Sequence, residues 1–517
     1  MIFDKSLSEL TQIYQVIETI DLSSLDSKEL YNKFSNLYKL EYQPTERIVV
    51  THNTDNYPFR DLAGQKLTQL IEYINRIDIP HFVITIVTTN KNIKFELETL
   101  SAESVGSVCV DGEYIENAKY NRDSFCILPW MHLYVGTDGN ILPCCEADHR
   151  FPLGNINADS IQNIMNSSLA QQIRSNMLAG VSCKECVNCY TNEDNNIDSA
   201  RQQANSFNRQ YLHLAKSNII DIANYTPYTM DIRINNICNL KCRMCDGYFS
   251  SSIAQEEFEL FNKTYTGRFL TQKQKNQVLD KIMHYLPNVE SIFFAGGEPL
   301  IIEEHYKILD RLIELKKTNI EIVYSTNFTN LSFKNRSVLD MWGKFSNVTV
   351  GISADAIGKV AEYVRHGTKW NQLEKNLILL KEKCPAVNVK IKSCVSLLSV
   401  ESLIELQKSW YQKGISIDSF FIDPVIGPDH LTLQVLPIDQ KNRISKLINS
   451  HIDWINMSSG THLANQWNKV LQFMMSNDAS YHLKEFQRLT SIMDNKRNES
   501  FIEIFPQYKN LTKTHDI

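Results

Sequence analysis

Three cysteines lie within eight residues of the segment ICNLKCRMCDG at 237–247. Cys238, Cys242 and Cys245 follow the spacing C-x3-C-x2-C, which allows three thiolates to surround one centre. Thiolates favour zinc, copper(I) or an iron–sulfur cluster. A closed metal site takes four ligands, so three protein ligands leave one position for another molecule. The segment therefore predicts an open metal centre, and the alternative is a zinc site completed by a distant residue.

A second group of cysteines precedes the first. The segment HLYVGTDGNILPCCE alternates around Asp138-Gly139, which predicts a hairpin with a two-residue turn. A helix from about 160 to 178 follows, with Asp159 or Ser160 as its cap and Gly180 past its end. Six thiols can saturate one four-ligand cluster but not two, and a zinc ribbon is the alternative. The group comprises Cys126, Cys144, Cys145, Cys183, Cys186 and Cys189.

Short apolar runs alternate with amphipathic segments from about 226 to 430. This order predicts a parallel sheet, either open or curved into a partial barrel. The first cysteine group directly follows the first strand, and such strand ends are where parallel α/β folds build active sites. We expect strands at 229–237, 289–295, 320–326, 347–353, 388–396 and 416–423. We expect helices at 268–285, 302–317, 334–344, 370–383 and 401–413.

The remaining sequence predicts three further regions. Two helix-like stretches (5–20 and 26–39) precede a strand (47–52), a helix (63–76) and a strand (81–89), which together indicate a small α/β module. The sequence gives this module no role, and the tail from 438 looks helical. We therefore expect domains at 1–120 (α/β module), 121–200 (cysteine-rich), 226–430 (alternating α/β) and 431–517 (helical extension).

Composition limits the classes of function. The chain has 517 residues and a net charge of −6, which argues against a sequence-independent grip on nucleic acid. It shows neither a membrane-spanning apolar run nor a secretion signal, so we expect a cytoplasmic protein with reduced thiols. Nine of the 12 cysteines lie between Cys126 and Cys245, which in that compartment indicates metal binding. The isolated Cys109, Cys384 and Cys394 are interpreted as buried apolar thiols.

The segment CNLKCRMC resembles the signature of radical S-adenosylmethionine (SAM) enzymes. The resemblance extends to FFAGGEP (293–299), YSTNFT (324–329), GISADA (351–356) and YVRHGTKW (363–370). It implies a partial (β/α)6 TIM-like barrel in which Cys238, Cys242 and Cys245 hold a [4Fe–4S] cluster. The amino and carboxylate groups of SAM would chelate the fourth iron, which accounts for the missing ligand.

The same resemblance implies a set of SAM contacts. These are Gly296, Gly297 and Glu298 from the glycine-rich segment, Ser353 at the ribose and Arg365 at the SAM carboxylate. A solvated helix charge is the alternative for Arg365, and a helix cap is the alternative to a ribose contact for Asp355. The sequence departs from the family at Met244, where an aromatic residue is frequent before the third cysteine. No residue is assigned a catalytic role.

The second cysteine group resembles the twitch domain, a shorter relative of the SPASM domain that carries an auxiliary [4Fe–4S] cluster. The pattern C-x12-G-x4-C runs from Cys126 through Gly139 to Cys144, and CKECVNC follows after the predicted helix. The resemblance implies that Cys126, Cys144, Cys186 and Cys189 are the ligands, with Cys145 and Cys183 as spare candidates. In most members this domain follows the barrel, whereas here it precedes it.

The resemblance also implies an activity. A one-electron reductant such as a flavodoxin or ferredoxin would drive cleavage of SAM to a 5′-deoxyadenosyl radical, which abstracts a hydrogen atom from the substrate. The auxiliary cluster would accept an electron from the substrate radical. We expect a peptide or protein maturase that oxidises or crosslinks side chains. The alternative is a small-molecule dehydrogenase or epimerase acting on a sugar or cyclitol; a tRNA-modifying enzyme and a zinc-binding interaction protein rank below these.

Overall fold

The computed structural model describes five strands between residues 15 and 116, together with residues 124–194, 197–215, 220, 225–265, 269–458 and 460–511. These residues fall into two compact units. The first comprises 1–130, 171–186 and 199–220, and the second comprises 131–170, 187–198 and 221–517. The predicted domain boundaries remain predictions.

The first unit contains a five-stranded sheet in the order β1-β2-β3-β4-β5, parallel except for the antiparallel β4–β5 pair. Its strands are β1 (Gln15–Asp21), β2 (Glu46–His52), β3 (Val83–Thr88), β4 (Ser107–Val110) and β5 (Glu113–Glu116). The predicted strands at 47–52 and 81–89 are confirmed. The predicted helix over 5–20 is wrong at 15–20, where β-branched residues favour the strand. The predicted helices at 26–39 and 63–76 lie outside the described residues.

A short segment around Cys126 is held by neighbouring helical residues of the first unit. The backbone oxygen of Phe125 accepts hydrogen bonds from Arg201 (3.0 Å) and Asn205 (2.9 Å), and the amide of Ile127 donates to Asn205 (2.9 Å). Arg174 donates to the backbone oxygen of Pro129 (3.3 Å). These bonds fix the backbone on both sides of Cys126.

The second unit contains a nine-stranded sheet in the order β18-β17-β15-β12-β11-β9-β6-β7-β8. The six strands from β9 to β18 in this order pair in parallel, which confirms the expected parallel sheet and the partial barrel. The strands of the unit are β6 (His132–Val135), β7 (Asn140–Leu142), β8 (Gly154–Asn155), β9 (Thr229–Ile232), β10 (Lys241–Cys242), β11 (Ser291–Phe294), β12 (Glu321–Thr326), β13 (Ser332–Phe333), β14 (Arg336–Ser337), β15 (Asn347–Ser353), β16 (Arg365–His366), β17 (Asn388–Val395) and β18 (Phe420–Pro424).

Helices alternate with the parallel strands as the sequence predicts, and their apolar faces supply the core. The α-helices after β9 are Ser251–Phe261, Gln272–Tyr285, Glu303–Glu314, Val338–Trp342, Gly358–Val364, Trp370–Lys383, Val400–Gln412, Ile438–Met457, Thr461–Ser476, Leu483–Arg497 and Phe501–Ile504. Earlier α-helices are Leu128–Met131, Ile161–Met165, Ser168–Ala179, Val187–Asp194 and Ala200–Phe207. Short 3-10 helices are Lys184–Cys186, Arg209–Leu214, Pro299–Ile301, Ile417–Ser419, Asp429–Leu431, Leu433–Val435, Ser480–His482 and Pro506–Leu511. Within the described ranges, no helix combines the length and apolar character needed to cross a bilayer.

The predicted helix over 160–178 is two helices with a break at Asn166 and Ser167. Ser160 caps the first of them by accepting a hydrogen bond from the Asn163 amide (3.2 Å). Gly180 follows the second helix with φ +73°, a conformation that glycine adopts without a steric penalty. The expected cap and stop are therefore confirmed, although the helix is interrupted.

The hairpin β6–β7 joins the parallel sheet directly. β6 pairs in parallel with β9, with Leu133 opposite Met230, and pairs antiparallel with β7 on its other side. The predicted hairpin is confirmed, but its turn is longer than two residues, since the Gly136 amide bonds the Asn140 oxygen (2.9 Å). Gly139 has φ +79°, as the glycine in this turn predicts. The cysteine-rich sequence thus contributes strands to the sheet of the barrel.

A buried ion-pair network ties the C-terminal helix Leu483–Arg497 to the loop of the first cysteine group. Arg243, which lies between Cys242 and Cys245, contacts Asp494 (2.5 Å) and Glu499 (2.7 Å), and its guanidinium lies 3.7 Å from the Tyr363 ring centroid. Asp494 also accepts a hydrogen bond from the Tyr363 hydroxyl (2.8 Å). The Arg243 side chain is 3% exposed, so its charge depends on these partners.

Replacing Arg243 tests whether this network stabilises the second unit. Arg243→Met leaves Asp494 and Glu499 without their buried cation, so we expect it to lower the free energy of unfolding by about 3 to 5 kcal/mol. Denaturant unfolding of the metal-free protein measures the change. Arg488→Met is the matched control, because Arg488 forms an exposed ion pair with Glu485 on the same helix and its loss should have no measurable effect. Equal stability of the two variants would contradict the role of the network.

Candidate metal centre

The three cysteines of the first group come together in the loop that follows β9. The short pair β10–β16 places Cys242 opposite Arg365, and the Cys245 amide bonds the Cys242 oxygen (3.1 Å) in a tight turn. The Leu240 amide points at the Cys238 sulfur (3.5 Å). Cys238 and Cys242 are half-buried, whereas Cys245 is exposed. The loop therefore places the three cysteines close together beyond the carboxyl end of β9.

The thiols of the loop lie close enough for Cys242 to raise the pKa of both other cysteines. Burial raises the pKa of Cys238 to about 12, and repulsion from the neighbouring Cys242 adds to this. Burial also raises the pKa of Cys242, and repulsion from both other thiols contributes to the raised pKa of Cys245. Three thiolates so close together need a positively charged centre to be stable.

The donor set fits a [4Fe–4S] cluster with one open iron. The loop supplies three thiols from one segment, at the end of a parallel strand, with room at the exposed side of Cys245. Within the described part of the chain, no three His, Cys, Asp or Glu side chains are grouped to hold a single metal ion. Cys238, Cys242 and Cys245 are therefore the residues that would hold three irons of the cluster.

The glycine-rich segment after β11 packs against the backbone that leads into the cysteine loop. The Gly297 amide bonds the Asn235 oxygen (3.2 Å) and the Glu298 amide bonds the Ile237 oxygen (2.8 Å). A β-carbon at position 297 would overlap the Ile237 carbonyl oxygen, and Gly296 has φ +108°. Both glycines are thus required by the close approach of two loops. Their predicted contact with SAM remains a prediction.

Glu298 joins the ends of two neighbouring strands. It is 1% exposed, and its carboxyl accepts hydrogen bonds from the Thr326 hydroxyl (2.6 Å) and the Asn327 amide (2.7 Å), both at the end of β12. The Leu300 amide donates to it as well (3.1 Å). Burial raises the pKa of Glu298 to about 7, although these bonds oppose the rise. These contacts give Glu298 a structural role in addition to its predicted contact with SAM.

Arg365 lies beside the cysteine loop and pairs with a buried carboxylate. Asp355 is 1% exposed and accepts from Arg365 Nε (2.7 Å) and Nη2 (3.0 Å), while Arg365 Nη1 lies 3.7 Å from the Cys242 sulfur. The solvated-charge alternative for Arg365 is wrong, and so is the helix-cap alternative for Asp355. Ser353 is the last residue of β15. The predicted contacts of Ser353 and Arg365 with SAM remain predictions.

Cys394 is not isolated, in contrast to the expectation from the sequence. It is half-buried in β17, its amide donates to Asp355 (2.8 Å), and Asp355, Arg365 and Cys242 all affect its pKa. Burial raises that pKa to about 12. The expected burial of Cys384 is confirmed. The spacing of Cys394 along the sequence gave no signal of its position beside the site.

The second cysteine group is divided between the two units. In the first unit Cys126, Cys183 and Cys186 are buried, and a hydrogen bond with the Cys186 thiol lowers the pKa of Cys183. In the second unit Cys189 is buried, and Cys144 and Cys145 pack against Tyr134, Leu142 and Ala147. The choice of Cys126, Cys144, Cys186 and Cys189 as ligands remains a prediction, and so does the spare status of Cys145 and Cys183.

The structure also reveals site residues that the sequence did not indicate. Asn327 lies near the Cys238 sulfur (3.9 Å) and bonds Asn239 (3.0 Å) in the cysteine loop. Arg233, directly after β9, forms a two-point ion pair with Asp231 (both 2.9 Å). Asn327 lies just past the predicted strand 320–326, within the segment YSTNFT, and this position could have marked it. Arg233 lies inside the predicted strand 229–237, so its place at the site had no signal in the sequence.

Comparison with known families agrees with this geometry. Residues 232–398 match the radical SAM superfamily, and residues 126–190 match the SPASM iron–sulfur cluster-binding domain. No curated protein matches the sequence at a significant level.

Several solved structures are similar at low identity. Native anSMEcpe with bound AdoMet is 20% identical over 44% of this chain and 60% of its own, with a TM-score of 0.31. Streptococcus suis SuiB bound to the precursor peptide SuiA is 18% identical over 51% and 54%, also with a TM-score of 0.31. SuiB bound to S-adenosylmethionine is 18% identical over 57% and 63%, with a TM-score of 0.29. The chain spans less than two thirds of each of these proteins.

The family matches and the site lead to the same assignment. The radical SAM match begins in β9 and includes the cysteine loop, the glycine-rich segment and β15. The SPASM match ends before that core begins. Such domains take a [4Fe–4S] cluster with SAM and an auxiliary iron–sulfur cluster, respectively. The chain therefore contains a radical SAM domain at 232–398, and a SPASM iron–sulfur cluster-binding domain at 126–190 precedes it.

Proposed function

We propose that this radical SAM enzyme matures a peptide or protein by oxidising or crosslinking its side chains. The observation that carries the proposal is the joining of the hairpin to the barrel sheet. Cys144 and Cys145 pack against Tyr134 of β6, and the Arg233 guanidinium lies 5.3 Å from the Tyr134 ring centroid. Arg233 directly follows β9, so these cysteines adjoin the barrel interior. An electron acceptor held there would favour a net oxidation.

The proposed reaction assigns a separate role to each group of residues at the site. When bound, the cluster and SAM supply the 5′-deoxyadenosyl radical that abstracts a hydrogen atom from the substrate. Cys238, Cys242 and Cys245 hold the cluster, and the Arg365–Asp355 pair fixes a positive charge beside it. Residues 296–298, Ser353 and Arg365 are the proposed SAM contacts. A closed, ordered loop at this edge would also exclude water from the reacting groups.

The sheet of the first unit supports a peptide as the substrate. Among the described strands, β1 pairs only with β2 and β5 pairs only with β4, so the sheet has two edges. An extended peptide can add to such an edge through backbone hydrogen bonds. We propose that this module docks the peptide, that a flavodoxin or ferredoxin supplies the electron, and that the enzyme works in the cytoplasm.

The maturase proposal is tested with peptides encoded by short reading frames beside the gene. Anaerobic incubation with SAM and dithionite should convert one of them to a product that has lost two hydrogen atoms, as measured by mass spectrometry. Turnover of a sugar or cyclitol in place of every such peptide would contradict the proposal and favour the small-molecule alternative.

Loss of one thiol of the first group should abolish SAM cleavage. Cys242→Ala leaves two ligands for the cluster, so we expect 5′-deoxyadenosine formation with SAM and dithionite to fall by at least about a hundredfold. Cys384→Ala is the control, because Cys384 is buried against the Leu339 oxygen and has no proposed ligand role. Product formation by Cys242→Ala at the control rate would contradict the assignment.

Replacing Cys144 should distinguish the role of the auxiliary cluster from that of the cluster that binds SAM. We expect Cys144→Ala to keep 5′-deoxyadenosine formation without substrate but to lose the electron paramagnetic resonance signal of the auxiliary cluster. We also expect it to lose formation of the oxidised product, because the electron acceptor is missing. Unchanged product formation in this variant would show that the auxiliary cluster is not the acceptor.

A further inference from the structure

The barrel interior contains a lysine whose ammonium has no hydrogen-bond or ion-pair partner within the described ranges. Lys392 lies in β17, and its side chain crosses the neighbouring strand at Gly351, where a β-carbon would lie 3.0 Å from its Cδ and Cε atoms. Its ammonium reaches a point 5.2 Å from the ring centroid of Phe293, two strands further along in β11. Among the described residues, the Lys392 ammonium forms no hydrogen bond or ion pair. Gly351 therefore provides the space that lets a cation extend over the floor of the barrel.

An acidic residue lies in the strand next to Lys392. Asp423 is in β18, opposite Cys394 of β17 in the register of the two strands, and it is exposed to solvent. Within the described ranges, the Asp423 side chain forms no ion pair with Lys392 or any other cation.

Unlike Lys392, the nearby Arg233 is paired with a buried carboxylate. Arg233 also lies near the Phe293 ring (5.8 Å), but its charge is matched at two points by Asp231. Burial lowers the pKa of Lys392, as expected for a cation without a matched partner, and Asp423 opposes the shift only partly. The half-buried ammonium of Lys392 costs stability because it lacks an ion-pair partner, and such residues concentrate at functional sites.

We infer that the barrel interior binds a substrate segment carrying both charges. Its carboxylate would pair with Lys392, and its ammonium or guanidinium group would pair with Asp423. This inference rests on the proposed function and deepens it, since it names the peptide class. The segment has an acidic and a basic residue close together, on either side of the residue that reacts. The apolar ring of Phe293 would lie under the chain between the two charges.

Four labelled peptides of equal length test the inference. They share one sequence except for a central triplet, which is Glu-Ala-Lys, Gln-Ala-Lys, Glu-Ala-Gln or Gln-Ala-Gln. Their Kd values are measured by fluorescence anisotropy, without oxygen, on the full chain loaded with iron and SAM. We expect Glu-Ala-Lys to bind at least about tenfold more tightly than either peptide that lacks one charge.

Two variants assign each preference to its residue. Lys392→Met should abolish the preference for Glu over Gln and keep that for Lys, and Asp423→Asn should do the reverse. The preference that each variant retains shows that it is folded. Lys390→Met is the matched control, because Lys390 lies in the same strand but already bonds the Asp418 oxygen (3.4 Å). It should keep both preferences.

Equal Kd values for the four peptides, including no measurable binding of any, would overturn the inference. Persistence of the Glu preference in Lys392→Met would also overturn it. Conversion of a precursor peptide from a neighbouring reading frame to a product that has lost two hydrogen atoms, measured with the same preparation, separates this failure from a failure of the proposed function. If that product forms but the four peptides are not distinguished, only the inference is wrong.

Discussion

The parallel pairing of β9 with β6 on one side and β11 on the other is the interaction on which the rest of the second unit depends. Because the three strands run in the same direction, their carboxyl ends meet at one edge of the sheet. That edge therefore receives the hairpin turn, the cysteine loop and the glycine-rich segment. Backbone hydrogen bonds from Gly297 and Glu298 to the Asn235 and Ile237 oxygens hold the glycine-rich segment against the backbone that leads into the cysteine loop.

Much of the barrel could be predicted because its signals are local. Strands such as β12 and β15 are apolar runs of the right length between turns, and their observed bounds agree with the prediction within a residue or two. The cysteine loop and its position after the first strand were equally visible. The helix predicted over 5–20 was wrong at β1, where the periodicity of a short apolar run did not separate strand from helix.

The long-range contacts could not be predicted from the sequence. β6 and β9 are separated by about a hundred residues, and nothing in either strand indicates its partner. Arg243 resembles any loop arginine, although it is buried against Asp494 and Glu499 some 250 residues later. Lys392 lies in a strand whose alternation of lysine and apolar residues is typical of a solvent-exposed face. Only the curvature of the sheet and the absence of a side chain at Gly351 direct it inward.

The central claim is that SAM completes the iron site left open by Cys238, Cys242 and Cys245. Electron–nuclear double resonance on the reduced protein, with SAM isotopically labelled in its amino nitrogen, tests this most directly. The account predicts a hyperfine coupling between that nitrogen and the cluster in the intact protein, and its absence after Cys242→Ala. A reduced cluster that shows no coupling to the label in the intact protein would contradict it.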